Sequence, residues 1–248
     1  MEAEIVAEMG ERLRHYHTKC IQHLNRVRLS HVLALKALQN EQALMTQECQ
    51  SLVRASFVDM PPTEKLAKMH EALHSQHLCS LKINFEQFLN RLLTTVWSFN
   101  FTKLAAKVSG REEVKLRELA DSIVAAGESS VDMRDFFIGR IVPVQGLETF
   151  DDAFRDATQI RLRDVLYGKN HRYWPQILTA FEIRHLVEHR DGSVDVKFRR
   201  VVKDVWSNSS WGELSLDRLR KVPVREADVI ETHGAMLNAA DLITERLL

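Results

Sequence analysis

The chain has 248 residues and a formal net charge of zero, since 34 basic side chains balance 34 acidic ones. This balance excludes a chain-wide basic field for nucleic acid, so any such binding must use a local patch. Five prolines and nine glycines are few for this length, which favours long helices over many short strands. The three cysteines form no CxxC pair, and the chain has neither an apolar leader nor a long apolar run. These features predict a cytoplasmic protein with reduced thiols and no membrane contact.

An apolar seam predicts that the first element is a helix from Glu2 to about Phe57. Its apolar or small residues recur at steps of three and four, which places them on one narrow face. They are Met9, Leu13, Tyr16, Cys20, Leu24, Val27, His31, Ala34, Leu38, Met45, Cys49 and Leu52. A break in the polar stretch Gln39–Gln42 is the alternative to one continuous helix. A seam of this length indicates pairing with another helix, within the chain or in a dimer.

Proline, glycine and capping residues set the bounds of the later elements. A second helix starts at Pro61–Thr63 and runs to about Val108, a third covers Arg111–Ala126, and a short fourth ends at Ile141. The remaining elements are a helix from a capping box at Thr149–Asp152 to Tyr167, a helix over about residues 173–190, a helix over Val194–Val205, a short hairpin within Leu214–Val224 and a last helix over about Arg225–Leu248. We therefore predict one all-α domain over residues 1–248, a helical bundle with long N-terminal helices.

An arginine followed five positions later by a histidine is a pattern that occurs three times. The pairs are Arg12–His17, Arg26–His31 and Arg184–His189. Spacing alone therefore carries little information, and the surroundings must separate the pairs. His31 falls on the apolar seam, which is typical of a hydrogen-bonded core histidine. His17 falls on a strongly basic face, which is typical of a solvated helix surface.

Arg184 differs because Ile177, Ala180, Phe181 and Val187 surround it on the helical wheel. A guanidinium on an apolar face is costly unless something pairs with it. One interpretation is a structural salt bridge to Glu188 at i+4. The other is a half-buried cation that faces a phosphate.

Five residues along a helix correspond to about 140° of rotation and roughly 7.5 Å of rise. On an ideal helix, Arg184 and His189 therefore do not share a face. They can converge if the last turn unwinds before Gly192. They can also converge across a two-fold axis, where each chain adds its pair to one cleft. This geometry motivates the hypothesis of a homodimer.

The stretch RHLVEHRDGSVD, followed by a basic amphipathic helix and a final long helix, resembles the HEPN superfamily (higher eukaryotes and prokaryotes nucleotide-binding). That family consists of α-helical bundles with an arginine, a polar residue and then a histidine four to six positions beyond the arginine. His185 occupies the polar position, and HRDG forms the turn. The strong match covers about Phe181–Phe198, and the rest agrees only in being helical.

The resemblance implies a metal-independent endoribonuclease with a composite site at a dimer interface and no cofactor. His189 would act as general acid or base, and Arg184 would stabilise the scissile phosphate. His185, Glu188 and Arg190 would position the RNA substrate. The family further implies a toxin-like or defence role that a regulatory or antitoxin-like protein partner restrains. It also contains inactive members, so a binding or adaptor protein with helical contacts is the alternative.

Two further clusters are candidates for ligand binding. Lys197, Arg199, Arg200 and Lys203 could track a nucleic-acid backbone, or form an exposed face with Asp195–Arg199 and Arg200–Asp204 as ordinary i, i+4 pairs. His70, His74 and His77 lie at a spacing that can present imidazoles to a metal, with Cys79 nearby. Without a second ligand cluster, we expect these three histidines to lie on a solvated face and to bind no metal.

Overall fold

The computed structural model describes residues 2–39, 61–100, 138–139, 142–168, 171–190 and 192–248. Seven α-helices and no strand are assigned within these ranges. The helices are α1 (Glu2–Gln39), α2 (Pro62–Phe99), α3 (Leu147–Thr158), α4 (Leu162–Leu166), α5 (Tyr173–Arg190), α6 (Val196–Val202) and α7 (Glu226–Leu247). The all-α prediction is therefore confirmed, and so are the long N-terminal helices, since α1 and α2 have 38 residues each.

Some predicted elements lie outside the described residues. They are the part of the first helix beyond Gln39, the part of the second helix beyond Asn100, the helix over Arg111–Ala126 and all of the fourth helix except Ile138 and Gly139, which are helical. The described residues belong to two compact units. The first comprises Met1–Cys20, Phe85–Trp174 and Ala239–Leu248, and the second comprises Ile21–Asn84 and Pro175–Asn238. The single domain expected over residues 1–248 stays a prediction.

In the first unit, the helix predicted from Thr149 to Tyr167 is wrong in its bounds. The chain forms α3 and α4 instead, because Gln159 adopts a left-handed φ of 68° and ends α3. The predicted capping box is also absent, since Gly146 precedes α3 and contributes no side-chain bond. Asp151 instead accepts a hydrogen bond from the backbone N–H of Arg163 at 2.9 Å, which supports the start of α4. Large side chains such as Phe150 and Phe154 are fully buried in this unit.

In the second unit, the helix predicted over Val194–Val205 is shorter. Asp195 caps α6 by accepting a hydrogen bond from Phe198 N–H at 2.7 Å, so the helix begins after it. The hairpin predicted within Leu214–Val224 is wrong. That stretch contains a 3₁₀ turn at Leu216–Arg218, and its pairing is a single antiparallel bridge between Ser193 and Lys221.

A buried polar network holds the segment between α6 and α7 in place. The Asp228 carboxylate is fully buried and accepts hydrogen bonds from Ser210 Oγ and from the backbone and side chain of Arg225. Gln176 of α5 accepts from Ser210 N–H at 2.8 Å and donates to Thr232 of α7 at 2.9 Å. The network therefore joins the segment to both helices through satisfied polar groups.

Candidate functional site

The candidate site lies at the C-terminal end of α5, and a glycine turn fixes where that helix ends. The first half of α5 is almost entirely buried, with Ile177, Leu178 and Ala180 in the core. Gly192 adopts a φ of 75°, a left-handed conformation that favours glycine, and its N–H donates to Leu186 O at 3.0 Å. A Cβ at Gly192 would also lie 2.9 Å from Lys221 Cε. The DG dipeptide thus has a structural role through Gly192, while Asp191 lies outside the described residues.

Arg184 pairs with Glu188, as one of the two interpretations predicted. Its Nη2 lies 2.6 Å from Glu188 Oε2, and the two side chains are 25% and 31% exposed. The pair is therefore half-buried, and its charges interact more strongly than a fully solvated pair would. The Nε of Arg184 is buried and has no hydrogen-bond partner among the described residues.

His189 lies near the same carboxylate oxygen, beyond hydrogen-bonding distance. Its Nε2 lies 4.0 Å from Glu188 Oε2, and its side chain is 58% exposed. Arg184 and His189 therefore meet at Glu188 within one chain, although α5 remains helical through Arg190. Glu188 lies between them because it is four positions from Arg184 and adjacent to His189 in sequence.

His185 completes the group of ionisable side chains on this end of α5. Its ring centroid lies 4.8 Å from that of His189. Burial lowers the pKa of His185 below the ordinary value for histidine, and the charges of His189 and Lys197 lower it further. His185 is therefore neutral at pH 7. Arg190 is exposed, and its backbone carbonyl accepts a hydrogen bond from Ser193 N–H at 2.9 Å.

Two residues of α2 that sequence reasoning did not assign to the site lie near it. Burial raises the pKa of the Cys79 thiol, and the charge of Glu188 raises it further, whereas Arg184 and Lys82 oppose the shift. Lys82 is itself buried, and its Nζ lies 5.1 Å from the centroid of the Phe181 ring. These neighbours are about 100 positions away in sequence, so no local pattern identifies them.

The basic residues in and directly after α6 have different surroundings. Lys197 is close enough to His185 to influence its pKa. Arg199 donates to the backbone carbonyls of Leu216 and Leu219 instead of pairing with Asp195. Arg200 and Lys203 are exposed.

Residues of the other two arginine–histidine pairs make hydrogen bonds and ion pairs typical of side chains with a structural role. Arg12 pairs with Glu8, and His17 Nε2 lies 2.6 Å from Asp241 Oδ1. His31 is fully buried and hydrogen-bonded, as its place on the apolar seam predicted. In the described structure, Arg184–His189 is the pair whose arginine and histidine both lie within 4.0 Å of one carboxylate, that of Glu188.

The expectation that His70, His74 and His77 lie on a solvated face is wrong. His74 and His77 are buried, while Leu66 of the same helix is 45% exposed. The reason is a contact with His31 of α1, whose Nε2 lies 2.9 Å from His74 Nδ1. Because the Arg28 guanidinium can only donate to His31 Nδ1, the proton of His31 sits on Nε2 and points at His74. In the part of the chain that the structure describes, no group of three or more potential ligands is arranged to hold a metal ion.

These buried histidines predict a loss of stability in acid. Burial lowers the pKa of His31 to about 3 and also lowers that of His74. Below pH 6.5 the unfolded chain therefore binds protons that the folded chain does not take up. The free energy of unfolding should fall as the pH drops from 7 to 5, with a limiting slope of about 1.4 kcal/mol per pH unit from His31 and a further contribution of the same sign from His74. Urea unfolding at several pH values measures this slope.

A matched pair of variants assigns the acid effect to the histidine contact. His31→Gln retains an acceptor for Arg28 and a donor for His74, and it should reduce the slope. His15→Gln, at an exposed position of α1, should leave the slope unchanged. A free energy of unfolding that stays constant between pH 7 and pH 5 would contradict this prediction.

None of the helices in the described ranges is both long enough and apolar enough to cross a membrane. No family model, curated protein or solved structure matches this chain.

Proposed function

We propose that this chain is a metal-independent endoribonuclease of the HEPN type, in which Arg184 and His189 act on RNA. The observation that carries the proposal is the approach of Arg184 and His189 to the same Glu188 oxygen at the exposed end of α5. A permanent cation beside a titratable imidazole suits attack by a 2′-hydroxyl on a phosphodiester. The HEPN resemblance of residues 181–198 supports the same assignment.

In the proposed reaction, His189 takes the proton of the ribose 2′-hydroxyl, and the 2′ oxygen attacks the adjacent phosphorus. The bond between phosphorus and the 5′ oxygen breaks, and that oxygen leaves with a proton from a second imidazole. The products are a 2′,3′-cyclic phosphate and a 5′-hydroxyl. Arg184 stabilises the charge that develops on the phosphate oxygens. For this step the phosphate must compete with Glu188 for the guanidinium.

The second imidazole supports the proposal of a homodimer. His185 lies beside His189, but burial lowers its pKa, so less of it carries a donatable proton at pH 7 than an ordinary histidine would. We assign the donor role to His189 of a second copy, which requires the two motif helices to meet across a two-fold axis. His185, Glu188 and Arg190 then position the RNA. A toxin or defence role under the control of a protein partner belongs to the same proposal.

RNA cleavage in the presence of EDTA tests this function directly. Purified protein is incubated with tRNA and with a single-stranded RNA, and the products are analysed for cyclic phosphate ends. The control is an oligonucleotide of the same sequence with 2′-deoxyribose throughout, which lacks the nucleophile. We expect the RNA to be cut in EDTA and the control to stay intact. Cleavage of the control, or an RNA cleavage that EDTA abolishes, would overturn the mechanism.

The Arg184–Glu188 ion pair favours a second candidate, a catalytically inactive binding or adaptor protein. In this case Arg184 is a structural arginine whose charge is already neutralised. The same preparation then shows no cleavage of any RNA, and Arg184→Ala lowers stability or breaks the dimer. Light scattering of the wild type and the variant, run beside the cleavage experiment, separates the two candidates.

A further inference from the structure

A groove of about 540 Å³ runs along the outer side of α6 in the second unit. Its charged walls are Arg199, Arg200 and Lys203, opposed only by Asp217. Its apolar walls are Val196 and Leu216, and Ser207 adds a hydroxyl. The volume falls within the range of sites that hold a small ligand or a fragment of a larger one. The groove therefore combines a net positive charge with room for an anionic group.

Arg199 is fixed in this groove without being neutralised. Its guanidinium donates to Leu216 O and, at 2.7 Å, to Leu219 O. Both acceptors are uncharged carbonyls, so the side chain keeps its positive charge while its position is set. A guanidinium held in this way is suited to bind a phosphate through its remaining N–H groups.

The two exposed cations of the groove are also uncompensated. The pairs Asp195–Arg199 and Arg200–Asp204, which would make this an ordinary solvated face, are not formed among the described residues. Asp195 is used as the cap of α6. Arg200 and Lys203 consequently have no carboxylate partner within the part of the chain that the structure describes. Three like charges around one groove repel each other, and an anion bound between them would offset this repulsion.

The groove is connected to the candidate site through α6. Asp195, which caps this helix, and Lys197, in its first turn, are near enough to His185 to alter its pKa. Arg199 and Arg200 lie further along the helix, and Lys203 directly follows its end. A strand that leaves His189 along α6 would therefore meet Lys197 first and then the groove.

We propose that this groove is a phosphate subsite that holds the backbone of single-stranded RNA beside the cleavage centre. This inference rests on the proposed ribonuclease function and assigns to it a place where the substrate is retained. Arg200 and Lys203 bind phosphate oxygens, Arg199 sets the charge at the groove floor, and Val196 and Leu216 contact the ribose or base. The groove recognises the backbone rather than a base sequence, because its cations bind phosphate oxygens, which carry no sequence information.

The test measures binding apart from cleavage. A fluorescent single-stranded 2′-deoxy oligonucleotide, which lacks the attacking hydroxyl, is titrated with the full chain between 50 and 200 mM salt. In Arg200→Gln/Lys203→Gln, the dissociation constant should rise roughly tenfold, and the slope of log K against log salt should shrink by roughly 1.4, or about 0.7 for each lost phosphate contact. The control Arg26→Gln/Lys36→Gln removes two exposed charges from α1 and should change neither quantity.

The outcomes separate the subsite from the proposed function. If the groove variant loses affinity but RNA is never cut, the subsite stands and the ribonuclease proposal fails. If RNA is cut and the groove variant binds and cleaves like the control, the subsite is overturned and the ribonuclease proposal stands. Equal loss of affinity in the groove variant and in the control would also overturn the subsite, because it would indicate a general charge effect.

Discussion

Replacing Asp228 with alanine is expected to lower the free energy of unfolding by about 3 kcal/mol. The carboxylate is fully buried and accepts hydrogen bonds from Ser210 at 2.7 Å and from the Arg225 backbone N–H at 2.9 Å. It also pairs with the Arg225 guanidinium at 3.0 Å. Removal leaves the half-buried hydroxyl of Ser210 without its acceptor. The estimate is at the lower end for a broken buried pair because water can still reach Arg225, whose side chain is 39% exposed.

Glu213 provides a matched control for Asp228. It pairs with the same Arg225 guanidinium, but its side chain is 64% exposed. Glu213→Ala should therefore cost less than about 1 kcal/mol. For a chain of this length, about 3 kcal/mol corresponds to a fall in Tm of roughly 6 to 12 °C, which thermal unfolding followed by circular dichroism measures. If the two variants lost the same free energy of unfolding, burial of the carboxylate would not determine how much each ion pair contributes to stability.

Replacing His189 with alanine is expected to reduce RNA cleavage by a factor of about 10² to 10⁴. In the proposed mechanism this imidazole carries the proton in both chemical steps, once in each copy of a dimer. Its side chain is 58% exposed, so its loss should have little effect on folding. The measurement is the initial rate of cleavage of one defined RNA in EDTA, with the far-ultraviolet circular dichroism spectrum recorded on the same sample.

Two further variants serve as comparisons for His189→Ala. His15→Ala removes an exposed histidine of α1 and should leave the rate unchanged. Arg184→Lys keeps the charge but loses the forked donor geometry, and it should lower the rate without abolishing binding. A His189→Ala protein that cleaves RNA like the wild type would exclude this histidine from the chemistry and overturn the proposed mechanism.

The spacing of apolar residues and the positions of proline, glycine and capping residues predicted most of the helices, because these signals are local in sequence. The seam residues Leu13, Cys20, Leu24 and His31 are all buried, and the predicted bounds of α5 and α7 agree with the structure within about one residue. The errors have a non-local cause. Asp151 caps a helix that begins eleven residues later, and Ser193 pairs with Lys221 across the whole of α6. Neither partner is identifiable from its neighbours in sequence.

The candidate site was predictable only in part for the same reason. The helical wheel indicated that Arg184 needs a partner, and Glu188 was one of the two predicted partners. The wheel could not show that His189 lies near the same oxygen, because that depends on side-chain conformations rather than on spacing. It also could not place Cys79 and Lys82 near Arg184, since α2 is distant in sequence. The burial of His74 likewise depends on His31, which lies 43 positions earlier.

The irregular segment between α6 and α7 affects the entropic cost of ligand binding. Arg199 ties it to α6, Gln176 ties it to α5, and a Cβ at Gly212 would lie 2.7 Å from Ser207 O, so its turns are closely packed. A wall that is already ordered loses little conformational entropy when an anion enters the groove. In the proposed subsite, most of the entropic cost of association then falls on the RNA strand. A short, stiff oligonucleotide should consequently gain more from this groove than a long, freely coiling one.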